Sequence, residues 1–108
     1  MSQDINRLLM ELERHMRSVN REVINPQITE LTIDGLDPVL RLVADARARY
    51  LRAFFDLGAA VNGEAPSNDQ VAELRRLRTE YEELMTAAKE LEQAIQRGYL
   101  DVTESPKP

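Results

Sequence analysis

Leu74, Leu77, Tyr81, Leu84, Ala88, Leu91 and Ile95 alternate three and four residues apart without a break. Only an α-helix lays such positions along one line, because 3.6 residues per turn bring every third and fourth side chain to the same face. A stripe this narrow is a seam, the surface one helix presents to another. The chain must therefore find a matching stripe, in itself or in a partner.

A matching stripe lies upstream. Leu36, Val39, Val43, Ala46, Tyr50, Ala53, Leu57 and Ala60 form a second heptad series, and Leu40, Ala44, Leu51, Phe54 and Val61 run beside it, interrupted by Arg47 and Gly58. Asp37 is a suitable N-cap and Pro38 suits the first helical position, so this helix is expected to open there. It is expected to run to Val61 and to end at Gly63, which tolerates the left-handed geometry of a helix end. The next helix opens at "SNDQ", a capping box with Ser67 as N-cap and Gln70 three residues on, and closes at Arg97 before Gly98. The short "NGEAPS" connection predicts an antiparallel hairpin. Centring it near Glu64 and Ala65 pairs residues whose numbers total about 129. Arg49 then meets Glu80, Arg47 meets Glu82 and Glu83, and "RRLR" at Arg75 to Arg78 meets Asp56. Exposed pairs of this kind contribute only ~0.2 to 1 kcal/mol each, so they set register more than stability.

The amino-terminal helix is read from Gln3 to Ile24, with Ser2 as N-cap and Asp4 in its first turn. Ile5, Leu9, Leu12, Met16, Val19 and Val23 form its stripe, which Leu8 widens. Pro26 stops it. In "QITELTIDG", Gln27 to Gly35, the alternation of Leu31 and Ile33 with Thr32 and Asp34 reads as a short extended segment or as irregular chain with three apolar anchors. The linker from Asn25 to Leu36 can reach ~40 Å when extended, so helix one need not run antiparallel to helix two. These readings predict an all-α fold of three long helices in a bundle, with a coiled-coil-like hairpin of helices two and three and a long extended linker after helix one. Residues 1–98 are expected to form one helical-bundle domain and 99–108 a flexible tail, of which "DVTESPKP" has nothing to bury. Tyr50 is assigned to the hairpin seam and Phe54 to the row that would receive helix one. Phe55 falls off both, either packed under the linker or meeting another subunit.

Composition narrows the function classes. A net charge of -5, from 19 acidic and 14 basic residues, opposes non-specific nucleic-acid binding. Cysteine is absent, which excludes disulfides and thiolate metal sites. The amino terminus lacks the basic start and apolar run of a signal peptide, and no segment offers the ~20 apolar residues of a membrane span. A cytoplasmic protein is expected.

Chemistry-bearing constellations are sparse. His15 is the single histidine, one turn from Glu11, and a transition-metal site needs three or four converging ligands. The carboxylates of "TEYEEL" and "KELEQ" lie along a helix flank, and acid-base work requires a cleft that perturbs them. No phosphate loop or nucleophile elbow is present. No catalytic, cofactor or metal site is therefore expected. Twelve of the 14 basic residues are arginine, with Arg14, Arg17 and Arg21 on one face of helix one and Arg41, Arg47, Arg49 and Arg52 on helix two. The candidate interaction surface is Arg14, Arg17, Arg21, Leu42, Arg49, Arg52, Phe55, Arg75, Arg76 and Glu83. The leading expectation is a non-catalytic protein-interaction protein, homodimeric, acting in assembly, as an adaptor or in regulation. One alternative is a small helical enzyme or binder of an anionic metabolite with an arginine-lined pocket. The other is a DNA-binding regulator using "RRLR" or helix one, although helix-turn-helix units use shorter helices and tighter turns.

Overall fold

A computed structural model describes residues 2–28 and 31–104. Among them lie three α-helices, α1 (Ser2–Ile24), α2 (Ile33–Val61) and α3 (Asn68–Gln96), with a 3-10 turn over Asn25–Gln27 and no strand. The all-α class expected from periodicity is the one that forms, and α2 and α3 pack against each other. The chain divides into two compact units. One is the hairpin Asp37–Glu90, and the other holds the described parts of Met1–Leu36 and Leu91–Pro108.

Within the hairpin, the two heptad stripes are the covered faces. Ala46 is 2% exposed, while Val43, Tyr50, Ala53 and Leu57 on α2 and Leu74, Leu77, Tyr81, Leu84 and Ala88 on α3 are half-buried. Tyr50 and Tyr81 stack across the seam with ring centroids 6.3 Å apart. The turn forms at "NG", where Asn62 and Gly63 take positive φ values of 47° and 88°. The Asn62 amide donates to the Gly58 carbonyl at 3.2 Å and the Glu64 amide to the Val61 carbonyl at 3.0 Å. Ser67 and Gln70 form the expected capping box: the Ser67 amide donates to Gln70 Oε1 at 2.8 Å, and the Gln70 amide to Ser67 Oγ at 3.1 Å. Two of the orphan donors at the start of α3 are thereby satisfied.

The start of α2 differs from expectation. It begins at Ile33, not at the Asp37–Pro38 pair, so Pro38 lies inside the helix. Thr32 is the working cap: its Oγ1 accepts from the Gly35 amide at 2.9 Å and its carbonyl from the Leu36 amide at 3.1 Å. Asp34 sits in the favourable first turn. Pro38 forfeits one early hydrogen bond, and the turn gained ahead of it outweighs that loss. The helix absorbs Ile33 to Gly35, so the extended reading of Gln27 to Gly35 reduces to a single parallel bridge between Thr32 and Thr103. Gln27 belongs to the 3-10 turn. Thr29 and Glu30 of that segment lie outside the described residues.

In the other unit, α3 ends in a Schellman motif. Gly98 takes φ 78°, its amide donates to the Ile95 carbonyl at 3.1 Å, and the Tyr99 amide donates to the Ala94 carbonyl at 2.8 Å. The reversal turns Leu100 inward, where it is 2% exposed. Ile24, Leu31, Leu36, Leu91, Ile95 and Val102 are among the half-buried apolar residues of the same unit. The chain end expected to have nothing to bury is corrected accordingly: the Thr103 amide donates to the Leu31 carbonyl at 3.0 Å, and Val102 is half-buried. The last four residues, 105–108, lie outside the described part.

Two glycines separate backbone strain from steric space. An added Cβ meets nothing within 4 Å at either Gly58 or Gly98, but only Gly98 has positive φ. Gly98→Ala is expected to destabilise the protein by about 1 kcal/mol through left-handed strain. Gly58→Ala, inside α2, is expected to stabilise it by roughly 0.5–1 kcal/mol. Thermal unfolding of the two variants beside the parent checks the opposite signs.

Candidate functional site

Arginine pairing organises the hairpin surface. Arg49 reaches across to Glu80 at 3.1 Å, which is the contact expected from the hairpin register, and also holds Asp45 on its own helix at 3.2 Å. Glu80 also forms an ion pair with Arg76 at 3.8 Å, and Arg76 contacts Glu73 at 2.7 Å. The result is a charged ladder, Asp45–Arg49–Glu80–Arg76–Glu73, that crosses from α2 to α3. The Arg76 guanidinium holds the Glu73 carboxyl below its ordinary value, first through their hydrogen bonds and then through charge.

Other expected pairs form differently. Arg47 does not meet Glu82 or Glu83; its guanidinium donates to the Tyr81 hydroxyl at 2.9 and 2.6 Å and lies 5.1 Å from the ring centroid. Tyr81 passes a hydrogen bond on to Met85 Sδ at 3.2 Å. The aromatic ring competes successfully because it offers both a hydroxyl acceptor and a π face to the cation. Asp56 takes Arg52, one turn away at 3.1 Å, and Arg78 takes Glu82 at 3.6 Å. The "RRLR" run thus satisfies itself locally through Arg76 and Arg78. Spacing within one helix wins here, because residues four apart are neighbours without any interhelical reach.

Of the arginines expected to form a binding surface, Arg21, Arg49, Arg52 and Arg76 are paired to carboxylates. Arg14, Arg17 and Arg75 are exposed, as is Glu83. Leu42 and Phe55 are 50% and 72% exposed, but thirteen residues at ~100° each set them roughly 140° apart around α2, so the helix does not bring them together. The second apolar row of α2 is open, with Leu40 at 58%, Leu51 at 55% and Phe54 at 63% exposure. Two shallow grooves run along the hairpin. One is lined by Ala48, Arg49, Arg52, Ala53, Asp56 and Leu77, and its neighbour extends to Leu57, Ala60 and Leu74.

On α1 the stripe itself is exposed: Ile5, Leu8, Leu9, Leu12, Met16, Val19 and Val23 all retain between 43% and 60% of their accessible surface. Leu9, Leu12 and Met16 line an open groove with Asn6, Met10 and Glu13. Among the described residues, no three His, Asp or Glu side chains converge to hold a metal ion, and no helix is long and apolar enough to cross a membrane.

The sequence reading missed Asp101. Arg21 grips it with two hydrogen bonds, Nη1 to Oδ1 at 3.2 Å and Nη2 to Oδ2 at 2.8 Å, and also donates to the Gly98 carbonyl at 2.6 Å. Asn25 adds a bond to the Tyr99 carbonyl at 3.3 Å. One guanidinium therefore serves both the Gly98 carbonyl of the α3 cap and the Asp101 carboxylate three residues further on. No local spacing signals a pair so distant in sequence. The Gly98 signature was the one available hint, since it marks a chain reversal whose carbonyls need donors.

The Arg21 hydrogen bonds, and then its charge, hold the Asp101 carboxyl below its usual 3.8. A folded-state value below the unfolded one means the pair stabilises the fold above pH ~4 and loses that contribution as pH falls through the folded value. Asp101→Asn is expected to melt below the parent at pH 7, with the gap closing on acidification and narrowing in high salt. Melting curves between pH 7 and pH 2 check this.

Comparison with protein-family models, with curated proteins and with solved structures finds no match to this chain.

Proposed function

We propose that this chain is a small, non-catalytic helical protein that acts by binding other proteins, in assembly, as an adaptor or in regulation, and that it self-associates as a homodimer. The observation that supports this reading is the exposed apolar stripe of α1, where six large side chains at heptad spacing, with Leu8 beside them, face solvent at 43–60% exposure. Soluble monomers rarely leave contiguous apolar patches beyond a few hundred Å², and larger ones are usually contact surfaces. A stripe of this regularity fits another helix better than a small molecule, because its holes repeat at the pitch of helical knobs.

The arginine pattern favours the same reading over its alternatives. An anion pocket needs converging, unsatisfied guanidinium groups. On the hairpin, Arg49, Arg52 and Arg76 already pair with carboxylates, and Arg49 and Arg52 line an open groove. DNA binding requires a surplus of unpaired positive charge, against a net charge of -5 and a self-paired "RRLR" run. In the proposal the α2/α3 seam packs as an antiparallel coiled coil, the protein works in the cytoplasm, and its ligands are proteins.

Light scattering on the size-exclusion peak, at two loading concentrations, tests self-association. The expected mass is twice 12.4 kDa, rising towards that value with concentration if exchange is fast. A mass of one chain at both concentrations would remove the homodimer from the reading.

A further inference from the structure

Along α1, the stripe Ile5, Leu9, Leu12, Met16, Val19, Val23 is symmetric about Arg14. Reversed and laid on itself, it sets Ile5 against Val23, Leu9 against Val19 and Leu12 against Met16, so every apolar position meets another. We propose that α1 is the dimer interface, pairing antiparallel with α1 of a second copy in this register. The inference rests on the self-association proposed above and names its surface.

Three observations favour this occupant. The first is self-complementarity, which a two-fold interface requires because the same patch must serve both sides. In heptad terms each layer joins an a position to a d position, the arrangement of antiparallel helix pairs, and it matches each of Leu9, Leu12 and Ile5 with a different partner. A parallel pair would stack Val on Val at one end and Leu on Leu at the other.

The second is the backbone dipole. Arg7, Arg14 and Arg21 lie ~160–180° around the helix from the middle of the stripe, so side-chain charge does not choose the direction of the partner. Antiparallel pairing opposes the two helix dipoles, whereas parallel pairing aligns them. The carboxyl-terminal turn of α1 is also occupied on its far side. Arg21 and Asn25 bind the Gly98 to Asp101 segment, and Arg21 lies ~160° around the helix from the middle of the apolar stripe. The stripe is therefore free while the back of the helix is held, and antiparallel pairing puts the two held ends at opposite ends of the pair.

The third is area. Seven side chains offering on the order of 100 Å² each give roughly 1,400 Å² across two copies, within the range of stable interfaces. Exposure of 43–60% at every one of these positions leaves that surface available.

The native chain has no cysteine, which permits a clean test. Ile5→Cys and Val23→Cys variants of the full chain are prepared separately, mixed and oxidised, and their disulfide-linked products identified by mass spectrometry. The expected product joins position 5 of one chain to position 23 of the other. In parallel, light scattering follows Leu12→Glu, at an exposed helix position where circular dichroism should show unchanged helicity, and Phe55→Asp on the hairpin. Leu12→Glu is expected to weaken dimerisation by on the order of 100-fold or more, since both copies lose a buried leucine, and Phe55→Asp to leave it unchanged. A dimer that survives Leu12→Glu overturns the α1 interface while leaving self-association standing. Links of position 5 to itself overturn the antiparallel register. A parent protein that is monomeric throughout sinks both this inference and the homodimer on which it rests.

Discussion

The hairpin seam is the constraint on which the folded chain depends. Among the described residues only Ala46, Ala94 and Leu100 are buried, and no large side chain is fully enclosed. Stability must come from many half-covered contacts instead of a deep core. The α2/α3 stripes supply them in regular order, and the Tyr50–Tyr81 stack with Arg47 above it fixes the register at the middle of the seam. Each such aromatic contact adds about 0.5–1.5 kcal/mol beyond its area, which matters where buried area is short.

The second structural device is the end of α3. Its left-handed glycine cap turns the chain back so that Leu100 is buried, and Arg21 closes the reversal from α1 by holding both Gly98 and Asp101. A single exposed ion pair contributes little. This one is bidentate and also satisfies a cap carbonyl, so it defines where α1 meets the carboxyl-terminal segment more than it stabilises the whole. Loss of a cation at position 21 would leave a helix-end carbonyl to water and a carboxylate alone.

The same economy explains the surface. Arginines spaced four residues from acids pair with them along α2 and α3, so much of the positive charge on those helices is already matched. The apolar stripe of α1 has no such local remedy, because a helix cannot cover its own face. Its exposure and its palindromic spacing carry the functional reading, while the paired arginines, which dominate the composition, recede from it.

The sequence by itself determined the three helices, the seams of α2 and α3, the capping box at Ser67, the glycine stops and the Arg49–Glu80 register contact. Each is encoded within one or two turns or by the length of one short loop, where helical geometry leaves few choices. The tertiary structure decided the rest. It started α2 at the Thr32 cap and not at Asp37–Pro38, because two acceptable N-terminal signals lay five residues apart and the earlier one also adds a turn. It gave Arg47 to Tyr81 and Arg21 to Asp101, since an arginine chooses among partners by position in space and the sequence lists candidates without ranking them. It also showed which apolar rows stay open: a stripe reads the same in sequence whether covered or bare, and only the packed chain tells the two apart.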